Sequence, residues 1–216
     1  VHPDEVVEGM VVRGWLDRLR ADHREAMLGA LDERQVARLW ARIERLDGLL
    51  APIDAARMAP LLRVLGERIE QRALALAAEV ARTGVLYAPE PLHGVRIAAK
   101  KLRYALELAG ELRPRWPTAA VVRTLKRHQD LLGRIHDLEV LSGLSDRACA
   151  EAPRRVHAAR LVGDWQRECR ELHARYLRRR TALQQAGRSA LTLGRRLSRA
   201  GTSRPRRPAP TPTNGE

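Results

Sequence analysis

An all-α protein is what this chain predicts, and three observations carry the prediction. Leu, Ala, Arg and Glu dominate its 216 residues, and all four are good helix formers. Apolar residues recur on one side when the chain is laid out at about 100° per residue, the helical period. Nowhere does a run alternate apolar and polar residues between turn signals, as a half-buried strand would. Phe is absent and aromatics make up only 3% of the chain, so Leu, Ala and Val must fill the core. This length can bury one sizeable core or two small bundles.

The elements follow from their breaks. A first helix is expected over about 8–29 and a second over about 33–49, divided at Asp32. Pro52 precedes a third at about 57–82, and Pro60 sits near its start, where proline is tolerated. Gly84, Pro89 and Pro91 mark the break before a fourth at about 91–111. Arg113-Pro114-Arg115-Trp116-Pro117 is a tight connector, so a fifth helix at about 119–143 lies antiparallel beside the fourth. Pro153 opens a sixth at about 153–180, with a seventh over about 181–199. Residues 200–216, AGTSRPRRPAPTPTNGE, are Pro-rich and apolar-poor and are expected to be disordered.

The hairpin of the fourth and fifth helices sorts its charges to one side. His93, Arg96, Lys100 and Arg103 fall within an arc of about 80°. Leu92, Val95, Ala99, Leu102 and Leu106 fill the adjacent arc as core. On the next helix Lys126, Gln129, Gly133, His136 and Asp137 share an arc of about 100°. Leu125, Leu131, Leu132, Ile135 and Leu138 lie away from it. Two facing basic stripes, with Gly133 permitting close approach, make a cradle for a polyanion. Glu107 and Asp137 are the acids inside the stripes, and Asp137 is expected to order the cradle by pairing with Arg96 or Arg103.

Leu92-His93-x-x-Arg96-x-x-x-Lys100-Lys101-Leu102-Arg103-Tyr104, followed by Leu125-Lys126-x-x-Gln129-x-x-Leu132-Gly133-x-x-x-Asp137, resembles the CHAD domain, the conserved histidine α-helical domain. The resemblance implies an all-α fold of two pseudo-symmetric helical bundles that bind inorganic polyphosphate in a basic central channel. It nominates His93, Arg96, Lys100, Lys101, Arg103, Tyr104, Lys126, Gln129 and Arg134 as polyphosphate contacts, with Gly133 and Asp137 as structural or orienting residues. Such proteins carry a motif pair in each half, and this chain shows one. Residues 13–50 resemble the helices that close a first half, and nothing before them resembles the first His-Arg helix. With Val1 in the first place, the chain reads as a fragment, as the product of a non-standard start, or as one lacking its first half. The expected organisation is partial first-half helices over 1–52, a CHAD-like bundle over 53–199 with its motif hairpin at 92–141, and a basic tail over 200–216. The fold class is therefore antiparallel helical bundles, the second half complete and the first partial.

Charge narrows the partners. The net charge is +14. Residues 178–215 carry ten Arg and no acid, while residues 93–137 hold 10 basic and 4 acidic residues. The hairpin and the tail are thus the two basic features. A repeating polyanion needs a line of cations, which stripes at i, i+3, i+7 and i+10 supply. His93, near a helix start, reads either as a capping or core histidine or as a phosphate contact aided by the helix dipole. Most of His23, His128, His157 and His173 are expected to be partly exposed surface histidines.

Other function classes lack their signals. No H-E-x-x-H, P-loop, G-x-S-x-G elbow or E-x-E-x-K signature occurs. No metal site, cofactor or catalytic residue is expected, so the chain reads as a non-enzyme. Cys149 and Cys169 form neither a disulfide framework nor a C-x-x-C clip, which fits a reducing cytoplasm, with polyphosphate granules as the place of the ligand. No run of 18 apolar residues and no secretory signal is present, so no membrane partner is expected. Two alternatives stand beside polyphosphate binding: a nucleic-acid-binding protein using the Arg-rich C-terminal region, and an accessory domain of a phosphoanhydride-processing enzyme. Leu16, Leu19, Leu39, Ile43 and Leu46 would lack covering partners. The chain is therefore expected to form a two-fold homodimer that brings two hairpins together.

Overall fold

The computed structural model describes residues 3–49, 55–151 and 158–201, and these hold six helices and no strand. They are α1 (Pro3–Ala30), α2 (Glu33–Leu49), α3 (Ala55–Arg82), α4 (Pro89–Leu112), α5 (Ala119–Ala150) and α6 (Ala159–Ala200). The all-α expectation holds. Helices α3 to α6 form an antiparallel four-helix bundle in which each packs on its chain neighbour and α6 closes the ring on α3. Leu62, Ile69, Leu76, Leu102, Leu106, Leu125, Leu132, Leu138, Leu183 and Leu197 are its largest fully buried aliphatic side chains besides Val80. A Leu and Ala core leaves shallow grooves between helices, so small residues let them close up. A Cβ at Gly66 would collide with Ser198 and the Gly194 carbonyl, and one at Gly194 would lie 2.9 Å from the Gly66 carbonyl oxygen. The α3–α6 seam therefore depends on both glycines.

Two boundaries differ from those expected. Residues 159–200 are one helix, not two, because nothing between Arg180 and Thr181 interrupts the ladder and Leu183, Ala186, Ala190 and Leu193 continue the buried stripe. Helix α5 runs on to Ala150, since Ser145 and Ala148 are buried in the continuation of its apolar face. Seven of the ten arginines over 178–215 consequently lie on α6, not in a tail. The expected domain boundary at 52–53, Pro52, Pro153, His157 and the tail beyond Gly201 lie outside the described residues.

The N-terminal half of α1 docks where α5 ends and α6 begins. Val12 and Trp15 are buried with Ala148 and Ala158, and Leu16 and Leu19 pack around them. Trp15 Nε1 donates to Glu151 at 2.6 Å. Glu8 accepts from the Leu161 backbone N–H at 3.1 Å, capping the otherwise unpaired first turn of α6. Beyond Leu19 the cover ends. Residues 20–47 are exposed throughout, including Leu39, Ile43 and Leu46 as expected, whereas Leu16 and Leu19, expected to lack cover as well, are partly buried against the α5–α6 corner.

Candidate polyanion groove

The α4–α5 seam aligns the sequence-predicted residues level by level. The rings of His93 and His136 lie 4.8 Å apart across it. One turn on, Arg96 covers Gly133. Carrying the antiparallel register up the hairpin sets Lys100 level with Gln129 and Arg103 level with Lys126. The anchors beneath them, Leu92, Val95, Ala99, Leu102, Leu125, Leu132 and Ile135, are all buried. Packing therefore fixes both stripes relative to each other, and ten residues of α4 make a cationic edge about 15 Å long.

Most of this charge has no acidic partner. Among the described residues Arg96, Lys100 and Lys126 enter no ion pair. Arg103 does: its Nη1 donates to Glu107 Oε1 at 2.7 Å, its guanidinium lies 4.6 Å from the Tyr104 ring centre, and its Nε is buried without a partner. Lys100 Nζ sits 5.8 Å from the same ring. Tyr104, half exposed, thus supports two cations through its ring.

The His end of the seam opens into a cavity of about 170 Å³ edged by Glu90, His93, His136 and Glu139. Burial first, then Arg96 and His93, pull the His136 pKa below its ordinary value, with Asp137 opposing. Behind this cavity Tyr87 donates to Glu139 and stacks edge-on against buried His173 at 5.5 Å. Burial and that hydrogen bond push the Tyr87 phenol far above its usual range. Burial also raises the Cys169 thiol, with the Tyr87 hydrogen bond opposing.

Several residues sit differently from their sequence reading. Asp137 forms no ion pair among the described residues, and the acids that order cations are Glu107, on Arg103, and Glu168, which takes Arg134 at 2.8 and 3.0 Å. Arg134 therefore faces α6 rather than the α4 seam. Lys101 lies seven residues beyond Gly94, whose packing on Glu79 marks the α3 flank of α4, so it points away from the seam. Gly133 makes no close backbone approach, because a Cβ there would meet only Arg96 Nε at 3.9 Å. It leaves room for that guanidinium instead. His93 stands in the second turn of α4, since the helix starts at Pro89, and so lies past the reach of the first-turn dipole. His128 and His173 are buried rather than on the surface, and His128 bridges the Thr124 and Arg179 carbonyls at 2.8 and 3.2 Å. Sequence reasoning missed the α6 contribution: Arg175 and Arg179 share the α5-facing flank with Glu168, at i+7 and i+11 from it. That spacing lay within the expected sixth helix at about 153–180, but nothing in the sequence said which of its faces meets α5.

Fold and seam together define an all-α bundle whose central hairpin carries a row of cations along its outer groove. The chain matches the family model described as CHAD domain over residues 2–146. The span runs from α1 through most of α5, and the chain belongs to the CHAD domain family. CHAD domains are associated with polyphosphate-related proteins. No curated protein and no solved structure matches the chain. Among the described residues no helix is long and apolar enough to cross a membrane, and no cluster of three or more His, Cys, Asp or Glu side chains could hold a metal ion.

Proposed function

We propose that this protein binds inorganic polyphosphate along the α4–α5 groove, without catalysing its turnover. The observation that carries the reading is the unpaired row of Arg96, Lys100 and Lys126, level with Gln129, Gly133 and Arg103 across one packed seam. Each phosphate offers oxygen acceptors and about one negative charge, which an arginine fork and a lysine point charge both answer. His93 and His136 cap one end, and Tyr104 borders the other. Lys101 and Arg134 flank the path and contribute to its field rather than to direct contact. Polyphosphate granules in the cytoplasm are the setting in which this ligand would be met.

A second reading, non-specific nucleic-acid binding, draws on the seven α6 arginines and the three beyond residue 201. Competition separates the two. Labelled polyphosphate is titrated against DNA with the wild type, with R96A/K100A/R103A/K126A, and with R63A/R68A/R82A/R188A on the far side of the bundle. The groove set should cost about 1,000-fold or more for polyphosphate, taking a tenfold or larger loss for three of its four charge-assisted contacts. The far-side set should cost little. Equal losses from both sets would replace the groove with diffuse attraction.

A further inference from the structure

We infer that α2 is a docking surface for a second copy of this chain, through a short parallel coiled coil. Among the described residues helix α2 forms no substantial packing seam with any other helix. Its apolar residues Val36, Leu39, Ile43 and Leu46 are 39%, 58%, 44% and 58% exposed. They recur at spacings of three, four and three, which makes Val36 and Ile43 the a positions and Leu39 and Leu46 the d positions of a heptad. β-Branched residues at a with Leu at d favour two parallel strands. The helix is well started, with Asp32 Oδ1 accepting from the Gln35 N–H at 2.5 Å. Even so, a lone helix of 17 residues is marginal in water. A partner on its stripe supplies what the bundle does not.

Charge says which partner. Around the stripe the arginines and acids of α2 fall on opposite flanks: Arg34, Arg38, Arg42 and Arg45 on one, Glu33, Glu44 and Asp47 on the other. A single helix thus carries both halves of a complementary pair. In a parallel two-fold dimer Arg42, at g, meets Asp47 of the other copy, at the following e, and the symmetric contact forms as well. Antiparallel pairing would set arginine flank against arginine flank. Trp40, also at e and 60% exposed, then covers the stem of Gln35 across the interface.

The test uses the full chain in sedimentation equilibrium from about 1 to about 200 µM. The mass should rise from 24.3 kDa toward twice that value. L39E/I43E should stay monomeric with unchanged helicity of the bundle, because both side chains are exposed and outside its core. R42D and D47R should each raise the dissociation constant about fivefold, and R42D/D47R together should restore it. Val36→Cys in a Cys149→Ser background should cross-link to itself on oxidation, which parallel pairing permits and antiparallel pairing prevents. A monomer throughout the concentration range would overturn the inference and assign the stripe to a different protein. So would a dimer that ignores L39E/I43E, or a double charge swap weaker than either single one.

Discussion

Glu107 is the residue whose removal should improve binding. It lies at one end of the cation row, 2.7 Å from Arg103, with its side chain 38% exposed. Glu107→Gln keeps an oxygen acceptor for the Arg103 Nη1 group, so the guanidinium stays over Tyr104. What changes is charge: one repulsive carboxylate leaves the ligand path and one arginine is released to phosphate. At about 7 Å a unit charge pair is worth about 0.6 kcal/mol at the dielectric of water and about 2.4 kcal/mol at an effective value of 20. Partial exposure favours the lower part of that range. Polyphosphate should therefore bind about 3- to 10-fold more tightly, and the dependence of log affinity on log salt should steepen by about one counterion's worth, near 0.7. Fluorescence anisotropy with labelled polyphosphate between about 50 and about 200 mM salt measures both. An unchanged affinity would place the Arg103 end outside the ligand path. A weaker one would make Glu107 an orienting partner that the groove needs, and either result would refute the argument from repulsion.

Four further outcomes follow from the same geometry. Polyphosphate at about 100 times its dissociation constant should add about 2.7 kcal/mol of stability, raising the midpoint of thermal unfolding by about 5–10 °C, and DNA at equal charge should add less. Gly66→Val should cost about 1–3 kcal/mol or more in urea unfolding, because its side chain meets α6 backbone, whereas Gly133→Ala should gain about 0.5–1 kcal/mol. Truncation after Gly201 should spare polyphosphate binding and weaken DNA binding, while truncation at residue 181 should unfold the bundle by removing Leu183, Ala190 and Leu197 from the core. The folded pKa of His136 lies below its ordinary value, so the unfolded chain takes the proton first. Its share of stability is then complete above about pH 6.5 and is lost as the pH falls below that. A bound polyanion reverses the bias, so affinity should rise by about 3- to 10-fold between about pH 7.5 and about pH 5.5. His136→Asn should flatten that profile.

Much of the fold could be read from residues alone, because helices in a Leu and Ala core advertise their buried face by spacing. The hairpin core was legible for that reason: Leu92, Val95, Leu102, Leu125, Ile135 and Leu138 are all buried. So was the antiparallel pairing of α4 with α5, since a tight connector makes the two helices neighbours, but which residue stands level with which was not. What could not be read depends on long-range partners. Nothing local announces that Glu168 will take Arg134, that Arg179 will offer its carbonyl to His128, or that Glu8 will cap α6 from 153 residues away. Gly66 and Gly194 carried no sequence signal beyond their identity, yet they set how closely α3 and α6 approach.

Where the cations are paired is as informative as where they are not. Away from the α4–α5 seam, some arginines find acids: Arg63 has Glu67, Arg82 has Glu79, Arg167 has Asp164 and Arg195 has Glu70, while Arg68 bonds Gln71 and Arg180 the Thr83 carbonyl. Most are i, i+3 or i, i+4 neighbours, which cost a sequence nothing but the choice of an acid one turn away. The seam offers the same turns and mostly does not use them. Among these cations only Arg103 has its acid, and burial and then the field of Arg96 lower the His136 pKa. Like charges kept on adjacent helices oppose folding, modestly at a salt-screened surface but in one direction. A row of cations held unbalanced on one packed seam carries a standing electrostatic cost along about 15 Å of groove. An extended anion relieves that cost along its whole length at once. A compact one would relieve it at one point only, so a chain of phosphates should bind the row more tightly than a single phosphate group does, and titrating both against the labelled polymer measures the difference.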